Sequence, residues 1–292
     1  MDNKLNNMIK EFMEKNNPKT IEEANQALQE FLKQYNAGEI DYENTALDDA
    51  YEILEKAEKA KNKKQAIKLA KEAYQKCPEC FDAILFQVNL EDNSLKRATL
   101  LNEGLEYEKE RLEKEGFFAK ENIGHFYGIF ETRPYIRGLY LKATYLIIDG
   151  KLKKARSVCK EILKLNNNDN TGARYLLMAI YATLESEKDI LNLYKKYPEE
   201  NLEMLFPLFA LYYKLEKYDQ AQEYLDKLNK VNSNFIKLFS YEDLEDEKDT
   251  PPEYYSRGSM SEIIMYRTEY FFLIDTLTTI EDFIEEYSKK SK

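Results

Sequence analysis

Hydrophobic residues between Leu47 and Pro78 form two stripes with helical spacing, and a short polar stretch separates them. Apolar residues that recur three and four positions apart lie on one face of a helix. The polar stretch AKNKK interrupts this spacing, and the proline ends the second stripe because it cannot donate a helical hydrogen bond. The first stripe is Ala50, Ile53, Leu54 and Ala57, and the second is Ala66, Leu69, Ala70 and Ala73. The pattern predicts a helix–turn–helix unit of about 34 residues.

The second stripe recurs along the chain at a nearly constant interval. Ala98 follows Ala66 by 32 residues, and Ala155 and Ala221 lie 66 residues apart, which is two intervals of 33. The intermediate position falls near Asp189, where SEKDILNLYKKYP predicts a shortened second helix. The interval from Ala98 to Ala155 is too long for one repeat and indicates an insertion. Small residues at this period, with a proline after the second helix, are typical of tetratricopeptide repeats.

We therefore predict an all-α protein, a tetratricopeptide-type α-solenoid with helical additions at both ends. The predicted domains are an N-terminal helical extension at 1–46, a repeat array at 47–240, and an acidic linker with C-terminal capping helices at 241–292. The predicted repeats are 47–78, 79–112, 136–169, 170–201 and 202–235, with the insertion at about 113–135. In the flanks we expect two short helices around Asn16-Asn17-Pro18, a helix capped by Ser259, and a last short helix from Ile280 to Tyr287.

Composition narrows the functional classes. The chain has 292 residues, a formal net charge of −11, and few helix breakers, with 9 Gly and 7 Pro. An acidic balance argues against a nucleic-acid partner, since phosphate contacts need a basic face. No apolar run approaches the ~20 residues that span a bilayer, and the N-terminus lacks the apolar core of a signal peptide. We expect a cytoplasmic protein with no membrane partner, whose three cysteines stay reduced.

The stretch GHFYGIFETRPYIRGLYLKA, at 124–143, contains the one histidine of the chain. We expect a helix from Gly124 to Phe130 and a turn just before Pro134, because proline disfavours helical geometry in the residue before it. Pro134 then belongs to the first turn of the next helix, with Thr132 as its N-cap. The charged residues have two possible roles: Glu131, Arg133 and Arg137 form salt bridges that fix the insertion, or the arginines bind a ligand. His125 likewise is either a packing residue or a ligand-binding or catalytic group.

Together with LNNNDNTGARYLLMAIYATLE and PPEYYSRGSMSEIIMY, this stretch resembles the signature segments of a bacterial tetratricopeptide family. That family is related to the suppression-of-tumorigenicity protein family of animals. The resemblance extends from Leu47 to the C-terminus, and it implies a tetratricopeptide scaffold without implying an enzymatic activity. The departures from the family pattern are Tyr127 in place of Trp, Asn167 in place of Pro, Thr171 in place of Gln, and Arg257 in place of Pro.

In a tetratricopeptide array the first helix of each repeat lines a concave groove. Counting along the last three predicted repeats places aromatic residues and two arginines, Arg137 and Arg174, in this groove. Guanidinium groups bind carboxylates in pairs of hydrogen bonds, so we expect a protein or peptide partner, with an acidic segment or a C-terminal carboxylate as a sensible ligand. The predicted peptide-binding residues are Arg137, Tyr140, Thr144, Arg174, Met178, Tyr181, Phe206 and Tyr213.

Two other functions remain open from the sequence. The pair Cys77 and Cys80 has the spacing of two zinc ligands, and with His125 and Cys159 it would support a metal- or thiol-dependent enzyme or factor. However, the pair lies at a repeat-ending turn, and we predict no catalytic residue, no metal and no cofactor. The third possibility is a self-associating scaffold whose groove is filled by its own C-terminal segment. The Asn-rich turn LNNNDN lacks the glycine and glutamate of a calcium loop, so we expect Asp169 or Asn170 to cap the next helix.

Overall fold

The computed structural model describes residues 3–239, 254–277 and 279–290. Within these ranges the chain is helical and forms no β-strand; the only β-type pairing is an isolated bridge of Gly124 and His125 with Asn166. The contacts divide the chain into two compact units, Met1–Arg111 and Leu112–Lys292. This division falls inside the stretch 47–240 that the sequence suggests as one array, just before the predicted insertion. The predicted acidic linker at 241–249 lies outside the described residues.

Unit 1 consists of helices that pack on their neighbours in the sequence. The predicted pair of helices around Asn16-Asn17-Pro18 is confirmed, and Thr20 caps the second of them by accepting a hydrogen bond from Glu23 N. Gly104 on α6, Ser94–Lys114, lies very close to α5, Asp82–Leu90. A Cβ added to Gly104 would lie only 2.8 Å from Ile84 Cγ2, so a larger residue would not fit there. The helices are α1 Asn3–Asn16, α2 Ile21–Ala37, α3 Ala46–Glu58, α4 Lys63–Lys76, α5 Asp82–Leu90 and α6 Ser94–Lys114.

Unit 2 contains three helix pairs followed by a C-terminal segment. The two helices of each pair pack on each other, and α9 also packs on α8 and α11. The shortened helix predicted near Asp189 is confirmed, since α10 has 10 residues whereas α8 and α12 have 14 each. The paired helices are α7 Arg133–Ile148, α8 Leu152–Leu165, α9 Ala173–Thr183, α10 Glu187–Lys196, α11 Leu202–Lys214 and α12 Tyr218–Val231. After them come the 3-10 helix Phe235–Phe239, α13 Met260–Glu269, α14 Phe271–Ile274 and α15 Glu281–Lys290.

The stretch around His125 differs from the sequence-based expectation. Residues 115–129 form turns rather than a helix, and a 3-10 helix at Phe130–Thr132 leads into α7. The physical reason lies in a distant part of the chain. Gly124 N and Phe126 N both donate to Leu165 O, at 3.1 and 3.0 Å, so these backbone groups are paired across the unit instead of along a helix.

The start of α7 is partly as expected. Pro134 belongs to its first turn, where a missing N–H costs little. Thr132 precedes the helix, but its side chain makes no capping hydrogen bond. Its hydroxyl donates instead to Phe126 O and Ile129 O, which ties the turn to the helix start. The Ser259 cap of α13 is confirmed, because its side chain accepts from Glu262 N. The sequence MSEIIMYRTEYFFLI predicts one continuous helix after Ser259, but α13 ends at Glu269 and the separate helix α14 follows.

Candidate functional site

The predicted peptide-binding residues fall on the first helix of each pair in unit 2, a surface that we call the inner face. Their exposure differs from helix to helix. On α7, Arg137 is exposed and Tyr140 and Thr144 are half-buried. On α9, Arg174 is half-buried, whereas Met178 and Tyr181 are buried.

On α11, Phe206 is completely buried, with 0% of its surface exposed. Its ring packs edge-on against Tyr266, with centroids 5.3 Å apart, and stacks on Phe239 at 5.9 Å. Both partners come from the chain after α12. Phe206 therefore forms part of the core, and its ring is not available to another molecule in this structure.

The described residues 254–277 and 279–290, which we call the C-terminal segment, supply Tyr266 and further contacts to the inner face. Tyr213 at the end of α11 donates a hydrogen bond of 2.8 Å to Thr279 O, and its ring lies 5.4 Å from that of Phe283. Phe283 also stacks on Phe209. Helix α14 packs on α9. The C-terminal segment thus occupies the part of the inner face that α9 and α11 provide.

The inner face of α7 retains solvent access. The Thr144 hydroxyl donates back to Tyr140 O of its own helix. Burial raises the pKa of the Tyr140 hydroxyl, and the nearby carboxylate of Glu269 raises it further. Tyr140 therefore lies within electrostatic range of Glu269 in the C-terminal segment, and Arg137 on the same helix is exposed.

Arg174 is engaged within the protein. Its side chain is 13% exposed, and it pairs with Asp169 at 3.0 Å and with Glu199 at 2.9 Å. Its guanidinium also stacks 4.1 Å from the ring centroid of Tyr175, whose hydroxyl donates to Glu199. Both carboxylates are already matched to this arginine, so its charge is neutralised locally.

The predicted capping role of Asp169 is confirmed. Its carboxylate accepts from Ala173 N and Arg174 N, both at 2.8 Å, and so satisfies the free N–H groups at the start of α9. Asp169 itself has a left-handed backbone, with φ of 48°. Burial raises the pKa of this carboxyl above its ordinary value, against the opposing effect of Arg174 and the two N–H donors.

A group of carboxylates and tyrosines on α7, α11 and the C-terminal segment interacts electrostatically, and sequence reasoning did not find it. We call it the acidic tyrosine cluster. Burial raises the pKa of the Glu203 carboxyl on α11 and of the Glu269 carboxyl on α13, and repulsion from Glu203 raises the pKa of Glu269 further. Tyr255 donates to Glu203 Oε1 at 3.2 Å. The members are Tyr140, Glu203, Tyr255, Tyr266, Glu269 and Tyr270.

The only sequence signal for this cluster is the density of tyrosine and glutamate in PPEYYSRGSMSEIIMYRTEYFF, which does not indicate which of them meet. Tyr266 and Tyr270 are one helical turn apart and stack with centroids 4.4 Å apart. Glu203 lies more than 50 residues earlier, as its pairing with Tyr255 spans 52 residues. The cluster therefore depends on how the C-terminal segment folds back onto α11.

The predicted structural motif around the insertion is held by Arg133. Its Nε donates to Tyr127 O at 2.8 Å, and its guanidinium lies 5.2 Å from the ring centroid of Phe130. Pro134 is buried, Glu131 is half-buried, and His125 is exposed. His125 belongs to unit 2, whereas Cys77 and Cys80 belong to unit 1.

The cysteines pack in hydrophobic surroundings. Cys77 and Cys80 belong to the core cluster formed around α3 and α4, and Cys159 is buried in α8. Burial raises the pKa of the Cys80 thiol to about 12 and that of Cys159 to about 12, which disfavours the reactive thiolate. Across residues 3–239, 254–277 and 279–290, no group of three or more His, Cys, Asp or Glu side chains is placed to hold a metal ion.

No described helix is both long and apolar enough to cross a membrane. No protein-family model matches the chain, and a comparison with curated proteins found no match. The function that we propose for this protein therefore rests on the geometry of unit 2.

Proposed function

We propose that the protein is a non-enzymatic interaction module of the tetratricopeptide type, which binds a polypeptide segment on the inner face of unit 2. The observation that carries this proposal is the contrast within that face. The chain's own C-terminal segment lies across α9 and α11, and the inner face of α7 beside it keeps Arg137 exposed and Tyr140 and Thr144 partly exposed.

The contacts of the C-terminal segment support the proposal because they are of the kind that a bound peptide makes. A helix lays aromatic and aliphatic side chains against paired helices, and a backbone carbonyl accepts from Tyr213. A partner segment would bind next to it along α7. The cytoplasmic location and the bacterial origin suggested by the sequence belong to the same proposal.

The test is an affinity capture with purified full-length protein as the bait, followed by mass spectrometry. The bait variant Arg137→Glu reverses one charge on the inner face of α7. The matched control Lys160→Glu reverses one exposed charge on α8. We expect a specific partner that wild type and Lys160→Glu retain and that Arg137→Glu loses. Recovery of the same proteins in the same amounts by all three baits would refute binding at α7.

A second candidate function is self-association through exchange of the C-terminal segment between two copies. The fit of this segment on α9 and α11 favours it, since the same contacts can form between chains. Light scattering over a range of protein concentrations distinguishes the two. A mass that rises to twice that of the 34.6 kDa chain supports exchange, and a constant single mass argues against it.

A further inference from the structure

Arg133 is half-buried at the start of α7, and no carboxylate of the described residues pairs with it. Glu131, two positions earlier, forms no ion pair with it either. Other half-buried arginines are matched by a carboxylate within 3.0 Å: Arg111 by Glu108, Arg174 by Asp169 and Arg267 by Asp275. The charge of Arg133 is therefore held inside the fold without being neutralised by a neighbouring side chain.

Contacts with the preceding turn hold the Arg133 guanidinium in place. Its Nε donates to Tyr127 O at 2.8 Å, and its central carbon lies 5.5 Å from the ring centroid of Tyr127 and 5.2 Å from that of Phe130. The turn is itself tied to the end of α8, because Phe126 N donates to Leu165 O at 3.0 Å. An arginine held in this way loses little side-chain entropy when it binds a ligand.

The outer edge of this guanidinium is open to solvent. Its two terminal nitrogens form no hydrogen bond with the described residues. Among those residues, the buried side-chain nitrogens and oxygens without a partner are Asn166 Nδ2, Arg174 Nε and the Tyr266 hydroxyl. The terminal nitrogens of Arg133 are not among them, so they are unpaired because they reach the surface. Tyr127 and Phe130 are half-buried and Gly128 is exposed, which places this edge at an accessible part of unit 2.

We propose that Arg133, with the rings of Tyr127 and Phe130 beside it, is a binding site for a carboxylate of the partner segment. This rests on the proposed function, because the carboxylate belongs to the segment that lies along α7. The terminal nitrogens of a guanidinium present parallel N–H groups, which match the two oxygens of a carboxylate. The neighbouring rings keep part of the water away, and a charge pair is stronger where water is partly excluded.

The position of Arg133 agrees with the face that we assign to the partner. Residues four positions apart lie on the same side of a helix, so Arg133 extends the inner face of α7 by one turn beyond the exposed Arg137. The sequence suggests Arg137 and Arg174 as the two arginines for an acidic ligand. Since Arg174 is matched by Asp169 and Glu199, Arg133 takes its place.

A carboxylate suits this site better than a phosphate group. One arginine neutralises the single charge of a carboxylate, whereas a phosphorylated side chain carries about −1.5 to −2 at neutral pH. The carboxylate can come from the end of a chain or from an aspartate or glutamate side chain, because both present the same pair of oxygens.

The experiment uses small probes and the full-length protein, with isotope-labelled arginine side chains. The carboxylate probes are N-acetylglycine, which mimics a chain end, and N-acetylaspartate α-amide, which mimics an acidic side chain. N-acetylglycinamide is the neutral isostere, and inorganic phosphate is the other anion. Binding is followed by the NMR signal of the Arg133 Nε–H group, which is assigned by its loss in Arg133→Lys. We expect at least one carboxylate probe to shift this signal and to bind at least about tenfold more tightly than the neutral amide.

The variant Arg133→Gln removes the charge and should weaken carboxylate binding about tenfold. Arg133→Lys keeps the charge but loses the paired N–H groups, and it should weaken binding by a smaller factor. The matched control is Arg156→Gln, which removes a half-buried arginine from α8 and should leave the affinity unchanged. A thermal melt checks that each variant folds, and where Arg133→Gln does not, the shift of the Arg133 signal in wild type decides.

Equal affinities for the carboxylates and the neutral amide, or an unshifted Arg133 signal, would overturn the carboxylate site. Equal losses in Arg133→Gln and Arg156→Gln would overturn it as well, and so would tighter binding of phosphate than of both carboxylates. These results leave the peptide-binding proposal standing, because that proposal is tested separately by capture with Arg137→Glu. A capture that Arg137→Glu does not change, together with a shifted Arg133 signal, would instead refute the partner at α7 and leave the carboxylate site.

Discussion

The inner faces of α7 and α11 look alike in the sequence and differ in the structure. Both helices carry aromatic residues at the positions expected to line a groove. On α11 the ring of Phe206 is enclosed by Tyr266 and Phe239, whereas on α7 Arg137 is exposed. The difference shows that a position predicted to line a groove is open to another molecule only where no other part of the chain covers it.

The largest expected difference between the two faces is in stability. Phe206→Ala should lower the free energy of unfolding by about 4 kcal/mol, because it leaves a cavity beside Tyr266 and Phe239. Arg137→Ala should change it by no more than about 0.5 kcal/mol, as expected for an exposed side chain. Urea unfolding of both variants measures this. A cost below about 1 kcal/mol for Phe206→Ala would mean that its ring is not enclosed.

The next effect concerns the arginine that the structure neutralises. Asp169→Ala removes the cap of α9 and leaves Arg174 with one carboxylate instead of two. We expect a loss of about 3 kcal/mol, because a largely buried charge loses a partner. The control is Asp149→Ala, whose exposed pair with Lys151 is worth less than about 1 kcal/mol. Equal losses in the two variants would show that the Asp169 network is not stabilising.

The packing of the C-terminal segment on α11 can be weakened at a single position. Phe283→Ala removes the ring that packs on Tyr213, Tyr218 and Phe209, and it should weaken the docking of α15 by about 2 kcal/mol. Hydrogen exchange should then accelerate in 281–290. Tyr254→Ala, at a side chain that is 83% exposed, serves as the control and should leave this exchange unchanged. Unaltered exchange in Phe283→Ala would mean that other contacts hold α15.

The smallest expected effect is a pH dependence in the acidic tyrosine cluster. Burial raises the pKa of Glu203 in the folded state, so the folded protein holds this proton more tightly than the unfolded chain, whose value is about 4.3. As the pH rises above that value, the unfolded chain loses the proton first, and stability falls until the pH passes the folded pKa.

Glu203→Gln removes this loss of stability with rising pH, because glutamine has no proton to lose. We expect the variant to gain stability relative to wild type as the pH rises from about 4 to about 7, by less than about 1 kcal/mol because Glu203 is only half-buried. Glu223→Gln, on an exposed face, should show no comparable change. A relative gain at acid pH instead would contradict the raised pKa.

Several parts of unit 2 follow from local sequence. Asp169 caps α9, Ser259 caps α13 and Pro134 lies in the first turn of α7, because these effects involve residues only a few positions apart. The residues 124–130 show the limit of such reasoning. Their apolar spacing suggests a helix, but hydrogen bonds to Leu165 O, about 40 residues away, stabilise a different backbone.

The sequence by itself determined that the chain is helical, that consecutive helices pair, and that Asp169 and Ser259 cap α9 and α13, because periodicity and capping are local. Only the tertiary structure decided which of the predicted groove positions are covered, that Arg174 pairs with Glu199 as well as Asp169, and that Glu203 lies near enough to Glu269 to raise its pKa. The first and last of these outcomes depend on the packing of the C-terminal segment against α9 and α11, and the second depends on the loop between α10 and α11. Contacts between residues so far apart in the chain leave no periodic pattern in the sequence, since they arise from packing and not from helical repeat.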